Sequence, residues 1–404
     1  MSEWQETEYG RVPYDWNFVS ASTYCGKVTD GTHDSPKQQI SGKHLITSKH
    51  IKGRHIDFEN AYLISQTDYE KINERSKVDQ WNVIISMIGE YCGFSYVERN
   101  EKIDYAVKNV GIFKTQSRAN ALWLHYYIQS KIGREYLESV RGGTSQPYLS
   151  LGALREFPVL VPTNIEEQKT ITAVLSSLDD KIDLLHRQNQ TLEAMAATLF
   201  RQWFVEEVQE DWEEFSVTDF AVHIKSNVVP AKFANEQFYH YSLPAFDEGQ
   251  EPALELGSEI LSNKYEVVEH SILVSKLNPR VPRIWPIGAL PGKNAICSTE
   301  FQVFKPKNPT LYGYLYFLLR SGDAVDALTM AASGTSGSHQ RVRPEDILNI
   351  RTSLPSFERA EQFSELAMPG IEKARANRMQ IRTLSTFRDT LLSKLMSGEV
   401  RVVV

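Results

Sequence analysis

Residues 157–204 read FPVLVPTNIEEQKTITAVLSSLDDKIDLLHRQNQTLEAMAATLFRQWF, and two patterns in that stretch decide the architecture. A short apolar run from Phe157 to Pro162 gives way to Glu167-Gln168. From Ile171 onward the seam positions advance by alternating steps of four and three: Ile171, Leu175, Leu178, Ile182, Leu185, Asn189, Leu192, Ala196, Leu199 and Trp203. This is a heptad seam, the mark of a helix that packs along another helix. Thr163 or Asn164 serves as its cap, with Glu166 and Glu167 at the positive end of the helix dipole. About 40 residues at ~1.5 Å rise make a rod of roughly 60 Å, longer than one globular core covers. The rod needs a partner helix.

The same chain supplies one. The segment Gly143-Thr144-Ser145, Phe157 to Pro162 and Glu167-Gln168 recurs as Gly334-Thr335-Ser336, a short apolar strand within Ile347 to Pro355, and Glu361-Gln362. A period near 191 to 194 residues in a chain of 404 is too long for a solenoid and means that a whole module is present twice. The second seam reads Ala374, Asn377, Ile381, Leu384, Arg388, Leu391 and Leu395, flanked by Lys373, Arg375, Arg378, Arg382 and Lys394. Asn189 and Asn377 interrupt the two seams; either they fix the register at some cost in stability, or they face solvent. Pro369-Gly370 is expected to break the second helix near its start, so that its regular part begins near Ile371. The resulting plan is α+β: two similar mixed α/β heads, residues 1–162 and 211–355, joined by two long helices, residues 163–210 and 356–404. The helices are expected to form an antiparallel coiled coil, giving a pseudo-twofold body.

Within the heads, Val83-Ile84-Ile85 and Ile272-Leu273-Val274 are short buried strands in matching places. Further strands are expected at His44 to Thr47, Ala61 to Ile64, Tyr105 to Phe113, Tyr239 to Leu243 and Phe301 to Phe304. Helices are expected at Leu122 to Leu137 and Leu311 to Leu328, each ending before a Gly-Thr-Ser turn. The formal charge of −7 is unevenly spread. Residues 1–164 are neutral, 165–214 carry −8, 215–356 carry −1 and 357–404 carry +2. An acidic first rod therefore faces a basic second one, and both heads are near neutral, which still permits a basic face. Glu206, Glu207, Glu210, Asp211, Glu213 and Glu214 read as a solvated linker.

Three cysteines far apart, Cys25, Cys92 and Cys297, argue against a disulfide framework and fit a reducing cytoplasm. Neither a signal peptide nor a run of eighteen apolar residues is present. No Walker loop, dinucleotide fingerprint, adenine-methylation signature or zinc spacing occurs, so the chain reads as non-catalytic, without metal or cofactor of its own. Polar, basic and aromatic residues do gather in irregular stretches. In the first head these are Thr29, Gly31, Thr32, His33 and Lys37, then Lys49 and Arg54, then Arg141, Thr144, Ser145, Gln146 and Tyr148. In the second they are Lys225 and Asn227, then Lys276, Asn278, Arg280 and Arg283, then Thr335, Ser336, His339, Gln340 and Arg341. Arg and Lys suit phosphates and guanine, Asn and Gln suit adenine, and hydroxyls suit phosphates. Each stretch taken alone also reads as an ordinary solvated loop.

With these parts in order, the chain resembles the specificity subunit of a Type I restriction-modification system. The likeness is carried by the paired Gly-Thr-Ser to proline segments, Glu166-Glu167-Gln168 leading into Leu178-Asp179-Asp180-Lys181-Ile182, and the exit Trp203-Phe204 then Trp212-Glu213. Leu391-Leu392-Ser393-Lys394-Leu395 followed by Gly398-Glu399-Val400 matches the second conserved region. It departs from the family pattern at Pro369-Gly370. The resemblance implies that each head reads one half of a split, asymmetric site in double-stranded DNA. It further implies that the helices set the spacer and dock two methyltransferase subunits. Those subunits bring S-adenosylmethionine and methylate adenine, with restriction/translocase subunits as further partners. A coiled-coil scaffold whose heads bind proteins is the alternative that the rods alone leave open.

Overall fold

A computed structural model describes residues 4–143, 146–333 and 340–402. The chain divides into two units, residues 1–181 with 385–404, and residues 182–384. Two long helices, Ile165–Arg201 and Phe357–Met396, pass from one unit into the other, so each unit holds one head and a stretch of both helices.

In the first unit the head is built around a four-stranded antiparallel sheet, in the order Val28–Asp30, Val110–Phe113, Val83–Ser86, Ser95–Val97. Gly111 lies in its second strand because any side chain there would run into Leu154 and Ile85. A smaller sheet places Lys43–Thr47 between Leu63–Ile64 and a parallel partner, Tyr105–Lys108. The single strand expected from Tyr105 to Phe113 is thus two strands in different sheets. Asn109 divides them by adopting the left-handed conformation (φ 55°), which Asn tolerates better than most residues. Pro158–Pro162 pairs with Trp16–Ser20 and leads into the first long helix. That helix is capped by Asn164, whose Oδ1 accepts from the Glu166 amide (3.0 Å).

The second unit repeats the plan. Its four-stranded sheet runs Ala221–Ile224, Phe301–Pro306, Ile272–Ser275, Ile284–Pro286. A five-stranded sheet contains the corresponding parallel pair, Gln237–Tyr241 with Ala295–Ser298. The strand expected within Ile347 to Pro355 is Arg351–Leu354, preceded by a short helix, Pro344–Leu348. In both units the single helix expected before the Gly-Thr-Ser segment is two: Arg118–Gln129 with Lys131–Val140, and Tyr312–Arg320 with Gly322–Ala331. Serine makes the break. Ser130 and Ser321 adopt extended backbone, and their hydroxyls accept from Gly133 and Ala324 (both 3.2 Å) as caps of a new helix.

Each head buries its apolar face against both long helices. Trp16, Trp123, Phe157 and Leu160 pack in the first unit with Ile171 and Leu175 of the first helix and Leu392, Leu395 and Met396 of the second. In the second unit Phe200, Phe204, Tyr314 and Phe363 form a ring cluster with centroids 4.9–5.6 Å apart. Rising numbers on the first helix meet falling numbers on the second in both units, so the pairing is antiparallel in each. Pro369 does not break the second helix, which is continuous from Phe357 to Met396. An interior proline costs about 3 kcal/mol. Pro369 lies on the exposed face, while Phe363 and Ala367 before it are buried and Met368 and Ile371 pack on the same core. At roughly 1.5–3 kcal/mol for a fully buried large side chain, that packing outweighs the proline.

Of the seam positions, Ile171, Leu175, Ile182, Leu185, Asn189, Asn377 and Leu395 are buried, and Leu178, Leu192, Leu199, Ile381, Leu384 and Leu391 are half-buried. Asn189 and Asn377 face each other. Asn377 Nδ2 donates to Asn189 Oδ1 (2.8 Å), and Asn189 Nδ2 donates to the Ala374 carbonyl (3.3 Å), which defines one register. The Oδ1 of Asn377 is buried without a partner. Replacing Asn377 by Ala should therefore lower stability by about 1–3 kcal/mol, because Asn189 loses its donor. The double change to Leu at 189 and 377 should be near neutral or stabilising. Thermal unfolding of the two variants checks this; a double variant as unstable as the single one would contradict it.

Candidate nucleic-acid interface

In the first head a continuous chain of hydrogen bonds gathers the polar stretches. Gly31 follows the edge strand Val28–Asp30 and donates to the Val110 carbonyl (2.8 Å). A Cβ at Gly31 would lie 2.6 Å from the Val107 oxygen, so no larger residue fits. The exposed His33 ring sits between Asp30 Oδ2 and Asn109 Oδ1, 3.0 Å from each. The Asn109 carbonyl accepts from Ser48 Oγ (2.5 Å), and Ser48 Oγ in turn accepts from the amides of Met87 and Ile88 (3.0 and 3.2 Å). Ile88 then bridges to Tyr148, while Gly89 donates to Pro147 and Leu149 to Met87 (both 2.8 Å). Thus the loops carrying His33, Lys49 and Tyr148 are joined. Lys49, Gln146 and Tyr148 are exposed there, and Lys52 Nζ lies 3.6 Å above the Tyr91 ring.

The second head repeats the last part of this chain. Asn278 donates to the Gln340 carbonyl and Val342 to the Lys276 carbonyl (both 2.9 Å), with Leu277 bridged to Arg341 and Arg341 to Ser333. Residue by residue, Ile88, Tyr148 and Gly142 correspond to Leu277, Arg341 and Ser333. Asn278 takes the left-handed conformation (φ 50°) that Gly89 takes in the first head (φ 85°). Lys276, Asn278, Gln340 and Arg341 therefore lie together, with Arg280 exposed close by in sequence. Lys225 and Asn227 follow the edge strand Ala221–Ile224, two strands from Ile272–Ser275, as the Gly31 to His33 segment follows Val28–Asp30.

The structure corrects two of the residues read as DNA contacts. Arg54 is committed to the first long helix: Nη1 pairs with Asp179 Oδ1, and Nη2 donates to the Asp179 carbonyl (2.6 Å). Thr29 turns its hydroxyl inward, where it is buried without a partner. Thr32 uses its amide to reach the Val107 carbonyl (3.0 Å) and leaves its side chain half-exposed; Lys37, further along the same loop, is exposed. Arg141, Arg283 and Arg341 pair with Glu138 (2.8 Å), Asp247 (2.7 Å) and Glu300 (3.2 Å). The exposed Arg141 pair is of the kind worth no more than about 1 kcal/mol, so a phosphate replaces its carboxylate at little cost, whereas Arg283 and Arg341 each hold their carboxylate through two nitrogens, a stronger pairing. Thr144, Ser145, Thr335, Ser336 and His339 lie outside the described residues.

Lys52 and the buried Ser48 beneath these loops fall in the polar stretch around Lys49, whereas Tyr91 and Asn109, which also join the gathered site, lie outside every such stretch. Asn109, a lone turn-former between two apolar runs, is the detectable signal among them. Among the described residues no group of His, Cys, Asp and Glu is suited to a metal ion, and no helix is long and apolar enough to cross a membrane.

His50 anchors the Lys49 turn: Nδ1 accepts from the Thr47 amide (3.0 Å), and Nε2 faces the Asn60 carbonyl (3.1 Å). Burial, with Lys49 nearby, holds its pKa below the ordinary value for histidine. The neutral ring is the bonded form. Because the folded pKa is depressed, the stabilisation is present above about pH 6.5 and is lost as pH falls below it. Thermal scans from pH 7.5 to 5 should show the wild-type chain losing stability faster than His50→Gln; parallel curves would contradict this.

Residues 38–194 match the family described as Type I restriction modification DNA specificity domain. Across 99% of its length the chain is 24% identical to the Type I restriction enzyme MjaIX specificity subunit of Methanocaldococcus jannaschii, covering 97% of that protein. It is 21% identical to the MjaVIII specificity subunit of the same organism, over 97% of this chain and 94% of the other. Its fold matches the crystal structure of a Type I restriction-modification S subunit from M. genitalium with a TM-score of 0.61, at 13% identity, over 94% of this chain and 96% of that one. With the duplicated heads and paired helices, the chain is thus similar along nearly its whole length to Type I restriction-modification specificity subunits, and it matches their DNA specificity domain over residues 38–194.

Proposed function

We propose that each head reads one half of a bipartite, asymmetric site in double-stranded DNA, and that the chain delivers this choice to a complex whose chemistry lies on other subunits. The observation that carries the reading is the repeated loop pairing. One scaffold presents Gly142, Ile88 and Tyr148 in the first head and Ser333, Leu277 and Arg341 in the second. A constant frame with exchanged side chains is what two different half-sites require, since base identity is read by side chains at groove edges.

The partners follow from the same reading. Two methyltransferase subunits dock on the long helices and bring S-adenosylmethionine for adenine methylation, and restriction/translocase subunits join them. The chain itself contributes no catalytic group, and the complex works in the cytoplasm. Burial pushes the Cys25 and Cys297 thiols up to about 12 and that of Cys92 up to about 11, so none is a ready thiolate. The heads are near neutral, so much of the phosphate attraction must come from the partner subunits. The isolated chain should bind DNA more weakly than the complex.

Mapping modified adenines in cells that express the chain with its methyltransferase should reveal one split motif; a genome without one would refute the reading. On a duplex containing that motif, Lys49→Ala should reduce the slope of log affinity against log salt by about 0.9, the value of one lost phosphate contact. An unchanged slope would remove Lys49 from the interface.

A further inference from the structure

Each unit contains an acidic residue of the first long helix held between two arginines, one from the head and one from the second helix. In the first unit Asp179 is 4% exposed. Its Oδ1 accepts from Arg54 of the head and from Arg388 of the second helix (2.8 Å), and its Oδ2 accepts from Tyr126 of the head (2.8 Å). In the second unit Glu193 Oε1 accepts from Arg378 of the second helix (2.7 Å), and Oε2 accepts from Arg320 of the head (3.2 Å). Arg320 also bonds the Tyr316 hydroxyl and lies 5.0 Å from the centre of that ring. Asp179 and Glu193 stand two heptads apart on the helix, and a head tyrosine accompanies each.

We propose that these two clasps are positioning devices that fix how each head is mounted on the helix pair within its own unit, and thereby the spacer at which the two half-sites are accepted. The inference rests on the DNA-specificity reading above. Apolar packing is non-directional and does not by itself single out one orientation of a head on the seam. A carboxylate shared by two guanidinium groups is directional, and removing it leaves two cations facing each other. Neither acid belongs to the gathered DNA-facing loops, so each acts through the head it holds. The clasps are unequal. The Asp179 side chain is 6% exposed and that of Glu193 30%, so solvent and salt reach the second far more readily.

The test uses the full chain expressed with its methyltransferase, comparing adenine methylation at sites with the native spacer and with one base pair more or fewer. Glu193→Gln, which is solvent-accessible and leaves the core intact, should reduce the preference for the native spacer by about tenfold while the half-site bases stay the same. Asp179→Asn should relax it at least as much. Glu193→Asp, which keeps the charge, should stay within about twofold of wild type. Unchanged spacer preference in folded Glu193→Gln would overturn the proposal, as would altered half-site bases. If the wild-type chain yields no split motif at all, the specificity reading falls and the clasps fall with it.

Discussion

A helix of 37 residues with an apolar stripe along it cannot be covered by one head of ordinary size. Most of the molecule follows from that constraint. The stripe is met by a second helix of 40 residues from the same chain, and each unit closes its core with side chains from both. Because the second helix runs antiparallel to the first in each unit, the end of one is packed beside the start of the other. The C-terminal residues Leu392, Leu395 and Met396 therefore complete the core of the first head, nearly the whole chain away in sequence.

Polar groups then choose one arrangement among those that apolar packing would allow. The Asn189–Asn377 pair defines the register, and Glu167, buried at the start of the first helix, takes Arg401 near the end of the chain. Arg401 also grips Asp15 and holds that carboxyl below the usual range. Buried ion pairs add little net stability because desolvation offsets the Coulombic gain. Their value here is geometric, which is why they sit where head and helices meet.

How much of this is legible in the sequence depends on the range of the interactions. The seams, the duplication and the central strands Val83–Ser86 and Ile272–Ser275 are local patterns with a period, and they can be read directly. The helix breaks at Ser130 and Ser321 escape such a reading because the apolar pattern carries across a serine whose capping role emerges only once the backbone turns. Pro369 has the local meaning of a helix break, yet packing around Phe363 overrides it. The role of Arg54 is illegible for a different reason. Its partner Asp179 lies 125 residues away, and a basic residue in a polar loop looks the same whether it faces a phosphate or a carboxylate. The gathered surface depends likewise on Ser48 and Asn109, whose bonds join segments distant in sequence.

In the function proposed above, two similar heads with different loop side chains are modular, each carrying its own half of the recognition. The most direct measurement is to replace residues 1–162 with the corresponding head of a relative, express the hybrid with the methyltransferase, and map modified adenines. Modular heads should give a new split motif in which one half has changed and the other half and the spacer are retained. A hybrid that folds and methylates with both halves altered, or with neither, would contradict it.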